Sequence, residues 1–173
     1  TLLDNRENWV TDIAMSADDR WLFALDQRLC DGEGCDPPGD ASATLWPLPT
    51  EDESSNPIDL FQNELYISDS ALSANGRYLA VGGESQEVWL WDLAAPNPSK
   101  TKIILPGHTS QVDFVEFTSD NRWLVTASGY SIWTEGENDH TIRLWNIHES
   151  NFADIEPVEL SGHHADIAGI RTS

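Results

Sequence analysis

Basic residues are scarce in this chain of 173 residues. Nine Lys and Arg stand against 30 Asp and Glu, which gives a formal net charge of −21. Because phosphate backbones and anionic membrane surfaces repel such a chain, nucleic acid and membranes are poor partners, and a protein or a basic peptide is the better electrostatic match. The plain alternative is that the charge serves only solubility.

Cysteine and long apolar runs are also lacking. Cys30 and Cys35 are the two cysteines, too few for the disulfide framework of a small secreted protein. The chain has no stretch of about 18 apolar residues and no signal-peptide pattern, so a cytoplasmic location is expected. The acidic loop around the cysteines has neither the spacing of a calcium loop nor a zinc signature, so we predict no metal and no cofactor.

No segment has the length and apolar spacing of an ordinary helix; the chain consists of a repeat instead. Three diverged copies align without gaps and begin at Val10, Ile67 and Val112: VTDIAMSADDRWLFAL, ISDSALSANGRYLAVG and VDFVEFTSDNRWLVTA. Each copy is followed by an apolar segment that contains a tryptophan, namely Trp46, Trp91 and Trp145. Self-similarity at this spacing is typical of a repeat architecture.

Each repeat is predicted to form four short strands. The apolar residues alternate or occur in short bursts rich in Val, Ile, Phe, Trp and Thr, between clusters of Asp, Asn, Gly and Ser. The turns SADDR, SANGR and TSDNR supply residues that tolerate left-handed backbone. The predicted four-stranded units are 9–61, 66–105 and 112–160, and residues 1–3 and 166–173 are predicted to belong to neighbouring units within one domain that spans 1–173.

These residues resemble the WD-repeat β-propeller family. The resemblance rests on Gly107-His108, Trp145-Asn146, the literal Trp91-Asp92 pair and a further Gly162-His163. It implies an all-β fold of four-stranded antiparallel blades. Since closed propellers have about 4–8 blades, this chain is expected to hold an incomplete ring. The remaining blades are expected from the same longer chain or from other copies of it.

The resemblance also implies a structural role for residues that look catalytic. His108, Ser128 and Asp139 could be mistaken for a Ser-His-Asp triad, but in the family such residues form a buried hydrogen-bond chain with the tryptophan, here Trp145. The sequence lacks the G-x-S-x-G elbow of serine hydrolases. We therefore predict no catalysis in these residues, and any catalytic domain would lie outside them.

The predicted function is that of a protein-interaction scaffold or sensor. The resemblance places the loops that join second and third strands on one face, and two of them, 27–40 and 129–139, are long and acidic. Recognition residues are often mounted on such loops. The candidate binding residues are the aromatics of this face, namely Trp9, Tyr66, Tyr130 and Trp133.

Two other interpretations remain open at this stage. A propeller-type hydrolase could use acidic residues at the channel mouth, drawn from Asp26, Asp31 and Asp40, although two carboxylates at a defined separation are needed. Several copies of this chain could also close a ring as a purely structural assembly.

Overall fold

The computed structural model describes residues 9–27, 41–48, 56–64, 66–129, 139–148, 155–165 and 167–173. These residues form twelve strands and one short 3₁₀ helix, Pro98–Lys100. The strands are β1 (Trp9–Met15), β2 (Trp21–Gln27), β3 (Ala41–Pro47), β4 (Ile58–Glu64), β5 (Ile67–Leu72), β6 (Tyr78–Gly83), β7 (Val88–Asp92), β8 (Ile103–Leu105), β9 (Val112–Phe117), β10 (Trp123–Ser128), β11 (Ile142–Asn146) and β12 (Val158–Leu160).

The strands form three four-stranded antiparallel sheets in which neighbours along the chain are neighbours in space. Sheet 1 has the order β1-β2-β3-β4, sheet 2 the order β5-β6-β7-β8, and sheet 3 the order β9-β10-β11-β12. The predicted all-β fold of four-stranded blades is confirmed, and the described residues contain no closed ring of sheets.

The first two strands of each sheet are joined by the same turn. The amides of Ser16, Ser73 and Thr118 donate to the carbonyl oxygens of Trp21, Tyr78 and Trp123, each at 2.9 Å. Within the turns, the residues with left-handed backbone are Asp19 (φ 56°), Gly76 (φ 67°) and Asn121 (φ 56°). Asp, Gly and Asn are the residue types that adopt this conformation most readily, which is why three different sequences form one turn.

Large apolar side chains between the sheets form the core. Leu79 lies opposite Trp91 across β6 and β7, and Leu124 lies opposite Trp145 across β10 and β11. All four side chains are fully buried. Such cross-strand pairs give each sheet an apolar face that only an adjacent sheet can cover.

Polar side chains of β1, β2 and β5 form hydrogen bonds with the next sheet along the chain. Asp12 of β1 accepts a hydrogen bond from the Ser70 hydroxyl of β5. At the equivalent position, Asp69 of β5 accepts one from the Val115 amide of β9 at 2.8 Å. The Gln27 side chain both donates to and accepts from the backbone of Ile67, at 3.1 Å in each case. The register of each sheet is thereby tied to that of its neighbour.

The assignment of both chain ends to neighbouring units stays a prediction. Residues 1–3 lie outside the described residues. Residues 167–173 are described and contain no strand, although a strand was expected over 167–172. A strand needs a partner whose backbone completes its hydrogen-bond ladder. Here the Thr172 hydroxyl donates to the carbonyl oxygen of Phe117 at 2.8 Å, which is a side-chain bond and not part of a ladder.

Candidate functional site

Three residues at the same position of the repeat lie at, or just before, the start of the first strand of each sheet. Trp9 opens β1 with 67% of its surface exposed. Tyr66 precedes β5 and Gln111 precedes β9, and both are half-buried. The Gln111 amide donates to the hydroxyl of Ser68 at 2.8 Å and to a carboxylate oxygen of Asp113 at 2.9 Å. The position therefore stays partly open to solvent even where a neighbouring sheet is present.

The other predicted binding residues lie outside the described part of the chain. This applies to Tyr130 and Trp133, and to nearly all of both long loops, which the structure describes only at Gln27 and at Gly129 and Asp139. Their role in binding stays a prediction.

A polar cleft of about 460 Å³ opens between β1 and β5. Its walls carry two carboxylates, Asp12 and Asp69, and contain neither Lys nor Arg among the described residues; Thr11, Leu25, Gln27, Tyr66, Ile67, Ser68 and Ser70 complete the lining. Burial raises the pKa of Asp69, the amides of Val115 and Ser70 oppose this, and the charge of Asp12 adds to the rise. The cleft is thus an electronegative concavity beside the start of the acidic loop 27–40.

A second polar cluster is buried in sheet 3. His108 Nδ1 lies 2.9 Å from Asp139 Oδ2, and His108 Nε2 lies 2.9 Å from Thr126 Oγ1. The Trp145 indole N–H donates to the same Thr126 hydroxyl at 3.0 Å. With a neutral imidazole protonated on Nδ1, the chain runs in one direction, from Trp145 through Thr126 and His108 to Asp139, and each polar atom in it is paired.

The structure brings together three of the four residues predicted for this cluster and corrects the fourth. The hydroxyl in the chain belongs to Thr126; Ser128 instead donates to the carbonyl oxygen of Gln111 at 2.6 Å. The pairing of β10 with β9 shifts register between Ala127 and Ser128. This irregularity displaces Ser128 from the regular pairing of the strand, whereas Thr126, two residues earlier, remains on the regular ladder.

A buried cation that sequence reasoning missed completes the cluster. Arg143 donates to Asp139 Oδ2 at 3.2 Å and to Glu159 at 2.9 Å. Asp139 also accepts from the amides of Thr109 at 2.9 Å and Thr141 at 3.1 Å. Burial acts to raise the pKa of Asp139, but the hydrogen bonds from the Thr141 hydroxyl, the Thr109 amide and His108 outweigh it, so the pKa is lowered. Asp139 is therefore the anionic centre of the cluster.

The other two sheets cannot build this chain. The positions equivalent to Thr126 are Ala24 in sheet 1 and Val81 in sheet 2, neither of which has a hydroxyl. In sheet 2 the consequence is visible, because the buried indole nitrogen of Trp91 has no hydrogen-bond partner among the residues that the structure describes. The sequence signal for Thr126 was weak because nothing equivalent recurs in the other copies.

The cluster resembles a catalytic triad in its hydrogen bonds but not in its access. Thr126 is 0% exposed and the His108 side chain is 0% exposed. A nucleophile needs room for a substrate atom about 3 Å away, and this hydroxyl instead accepts a bond from Trp145. The hydrolase alternative needs two carboxylates at a defined separation, and the described residues do not provide such a pair from its candidates. Asp26 is buried near the end of β2, and Asp31 and Asp40 lie outside the described residues.

The described residues contain no group of three or more His, Cys, Asp or Glu arranged to hold a metal ion. No helix within them has the length and apolar character needed to cross a bilayer. Cys30 and Cys35 fall outside these residues.

Comparison with known proteins assigns the repeat. The sequence model described as WD domain, G-beta repeat matches residues 58–92 and 99–146. These two segments match WD repeats. Each matched segment begins in or just before the outer strand of one sheet and ends with the third strand of the next. The WD repeat is therefore offset by one strand from the structural sheet, so each repeat covalently links two adjacent sheets.

Relatives and solved structures agree with this assignment. The chain is 21% identical over 154 residues to a WD40 repeat-containing protein of Dictyostelium discoideum, covering 89% of this chain and 22% of that protein. It is 35% identical over 71 residues to the target of rapamycin complex subunit LST8 of Saccharomyces cerevisiae, covering 41% of this chain and 20% of LST8. The crystal structure of the RRP9 WD40 repeats superposes with a TM-score of 0.63 at 20% identity, covering 96% of this chain and 42% of that one.

The chain thus spans about a fifth of the length of these curated relatives. WD-repeat proteins are generally protein-interaction scaffolds.

The correction from Ser128 to Thr126 can be tested by stability. Thr126→Val keeps the shape of the side chain but removes the hydroxyl, which leaves both Trp145 Nε1 and His108 Nε2 buried and unpaired. We expect the free energy of unfolding to fall by about 2–3 kcal/mol, against about 1 kcal/mol for Ser128→Ala. Chemical denaturation followed by tryptophan fluorescence measures both. Equal losses, or a larger loss for Ser128→Ala, would contradict the assignment.

The cluster also predicts a dependence of stability on pH. Burial lowers the pKa of His108 below its ordinary value of 6.5, although the hydrogen bond to Asp139 acts in the opposite direction. Below that value the unfolded chain takes up a proton that the folded chain does not. Stability should therefore fall as the pH drops through about 6.5, by at most about 1.4 kcal/mol per pH unit.

Denaturation at about pH 7.5 and about pH 5.5 measures this effect. His108→Gln is the control, since glutamine does not titrate and that variant should show a smaller difference between the two conditions. If the His108→Gln variant showed the same difference in stability between the two pH values as the parent chain, other groups would be the cause of the pH dependence.

Proposed function

We propose that this chain is a non-catalytic interaction scaffold that binds a protein or a basic peptide through the face that carries the loops 27–40 and 129–139. The observation that supports this most directly is the cleft between β1 and β5, where Asp12 and Asp69 face a space large enough for a side chain. Concave sites with a few convergent polar groups are the usual places of recognition.

Charge argues for a basic partner. The chain has a net charge of −21, and the walls of the cleft contribute two carboxylates without a basic residue among the described lining. An acidic surface attracts a basic partner over a distance and discriminates against nucleic acid and anionic lipid. We also propose a cytoplasmic location, and neither nucleic acid nor a membrane as the partner.

Trp9 supplies an aromatic contact at the rim of this face. Large exposed aromatic side chains contribute strongly to many interfaces, because they bury much area and lose little conformational entropy. The name of LST8 records that this relative is a subunit of a protein complex. A role in assembling proteins, without catalysis, agrees with that similarity.

The proposal can be tested by measuring the binding of a synthetic Lys/Arg-rich peptide to the immobilised chain. We expect binding that weakens as salt is added, and a loss of about tenfold in affinity for Trp9→Ala. The matched control is Ile104→Ala, which removes an apolar side chain that is 48% exposed on the outer strand β8. A third variant shortens the loop 130–138.

Two outcomes would contradict the proposal. One is affinity for the basic peptide no higher than for an acidic peptide of equal length. The other is unchanged affinity in both the Trp9→Ala and the shortened-loop variants.

A further inference from the structure

The turn between β5 and β6 contains the one Asn-Gly pair of the sequence, Asn75-Gly76. Asn75 is exposed, and Gly76 adopts left-handed backbone with φ 67°. An asparagine before a glycine is the pair most open to attack of the next backbone nitrogen on the side-chain carboxamide, because glycine has no side chain to obstruct that approach. On chemical grounds this pair is therefore the most reactive asparagine site of the sequence.

Two hydrogen-bond donors are directed at the carboxamide oxygen of Asn75. The Ser73 hydroxyl donates to Asn75 Oδ1 at 2.8 Å, and the Arg77 amide donates to the same oxygen at 3.0 Å. Two donors on one carbonyl oxygen stabilise the negative charge that develops there when a nucleophile adds to the carbon. Because Oδ1 bonds the amide two residues further on, the carboxamide carbon is held on the side of the intervening Gly76 nitrogen.

The equivalent turns of the other two sheets hold an aspartate in these same bonds. In sheet 1, Asp18 Oδ1 accepts from the Ser16 hydroxyl at 2.6 Å and from the Arg20 amide at 3.3 Å. In sheet 3, Asp120 Oδ1 accepts from the Thr118 hydroxyl at 2.6 Å and from the amide two residues further on at 3.1 Å. The hydrogen bonds of this turn therefore suit a carboxylate as well as a carboxamide.

We propose that Asn75 is a site of spontaneous modification, and that the folded turn directs its product to the α-linked aspartate. The Gly76 nitrogen attacks Asn75 Cγ, the bond from Cγ to Nδ2 breaks, and ammonia leaves with the proton of the Gly76 amide, which leaves a cyclic imide. Water then adds to Cγ, the bond from Cγ to the Gly76 nitrogen breaks, and that nitrogen regains a proton. The net change consumes water, releases ammonia and leaves a carboxylate.

The product depends on which carbonyl carbon of the imide water attacks. Attack at Cγ restores the normal backbone, whereas attack at the main-chain carbonyl carbon of Asn75 leaves a β-linked residue with an extra atom in the backbone. The Ser73 hydroxyl and the Arg77 amide are directed at the oxygen on Cγ. They therefore stabilise the charge that develops on the first route and favour the α-linked product.

The neighbouring turns disfavour the longer backbone of the β-linked product. The Asn75 amide donates to Asn121 Oδ1 of sheet 3 at 2.9 Å, and a Cβ atom built on Gly76 would lie 2.6 Å from Oδ1 of Asp18 in sheet 1. The turn is thus held from both sides. The Gly76 amide also donates to the carbonyl oxygen of Ser73 at 2.8 Å, so the imide closes only when this bond opens, and closure should be slower in the folded chain than in the unfolded one.

The test incubates the whole protein at mildly alkaline pH, once folded and once in urea. Peptide-level mass spectrometry, with synthetic peptides as standards for the two products, measures the conversion of Asn75. We expect conversion in both samples, slower in the folded protein. The ratio of α-linked to β-linked product should be about tenfold higher in the folded protein than in urea, which is the factor that one hydrogen bond to a charged oxygen supplies. Equal ratios, or no conversion of Asn75 in the folded protein, would overturn the proposal.

Two variants of Ser73 test the role of its hydroxyl. Ser73→Ala removes the donor and should shift the product of the folded protein toward the β-linked residue. Ser73→Thr keeps the donor, since Thr118 makes the same bond in sheet 3, and should keep the parent ratio. The same ratio in both variants would also overturn the proposal. If Ser73→Ala does not fold, the comparison of the folded and urea-treated parent decides alone.

The fit of the product is measured separately. Asn75→Asp should melt at the temperature of the parent chain, because Asp18 and Asp120 accept the same bonds in their turns. A clearly lower melting temperature for Asn75→Asp would show that this turn does not accept the carboxylate, and would count against the proposal.

Discussion

Replacing Asp139 by alanine is expected to lower the free energy of unfolding by about 3–5 kcal/mol. Asp139 accepts hydrogen bonds from His108, from the amides of Thr109 and Thr141, and from Arg143. The Arg143 side chain is 8% exposed, so the variant removes the buried carboxylate beside this cation and leaves it bonded to Glu159, whose side chain is 47% exposed. Uncompensated buried charge is among the costliest defects in a folded protein.

Two variants make this prediction specific. Asp120→Ala removes a carboxylate that accepts hydrogen bonds from Thr118 and Arg122 in an exposed turn, and we expect a much smaller loss because water solvates the groups left behind. Asp139→Asn keeps the shape but loses the charge and should fall between the two. Urea denaturation measures all three. If Asp139→Ala and Asp120→Ala lowered the free energy of unfolding equally, the burial of the cluster would not account for its contribution to stability.

Replacing Gly83 by alanine is expected to cost about 2–4 kcal/mol, because the added methyl group meets backbone rather than a movable side chain. A Cβ atom there would lie 2.2 Å from the carbonyl oxygen of Tyr66 and 2.9 Å from the Cα of Ile67. That carbonyl accepts a hydrogen bond from the Glu84 amide at 3.0 Å, so it cannot move without breaking the contact. The strands β5 and β6 would have to separate locally.

The matched control is Gly169→Ala, since no atom lies within 4 Å of a Cβ built at that glycine. We expect this variant to be neutral or slightly stabilising, by a few tenths of a kcal/mol. Thermal melting of the two variants compares them directly. A Gly83→Ala variant as stable as Gly169→Ala would mean that the close approach of β6 to Tyr66 is not a constraint in solution.

The Gly83→Ala variant also tests the proposed interaction face. Gly83 ends the second strand of sheet 2, and Tyr66 borders the cleft between β1 and β5. Separation of these strands would move one wall of the cleft. Peptide binding by Gly83→Ala should therefore weaken together with stability, whereas Asp120→Ala, in the exposed turn between β9 and β10, should leave binding near its original value.

The cluster around His108 shows how far sequence reasoning reached into the tertiary structure. His108, Asp139 and Trp145 come together, but the hydroxyl among them is that of Thr126. Thr126 and Ser128 are two residues apart on one strand, so the alternation of the strand does not distinguish them. The irregular pairing beside Ser128 distinguishes the two residues, and this irregularity depends on how β9 pairs with β10.

The amino-acid sequence by itself determined the repeat, its four strands and its turns. These follow from local chemistry: apolar residues alternate at the period of a strand, and Asp19, Gly76 and Asn121 accept left-handed backbone wherever they occur. Only the tertiary structure decided that Arg143 is buried beside Asp139, and that Asp12 and Asp69 bind the next sheet at Ser70 and Val115. Those are contacts between residues far apart in the chain, and a periodic pattern states which face of a strand is apolar without stating what covers it.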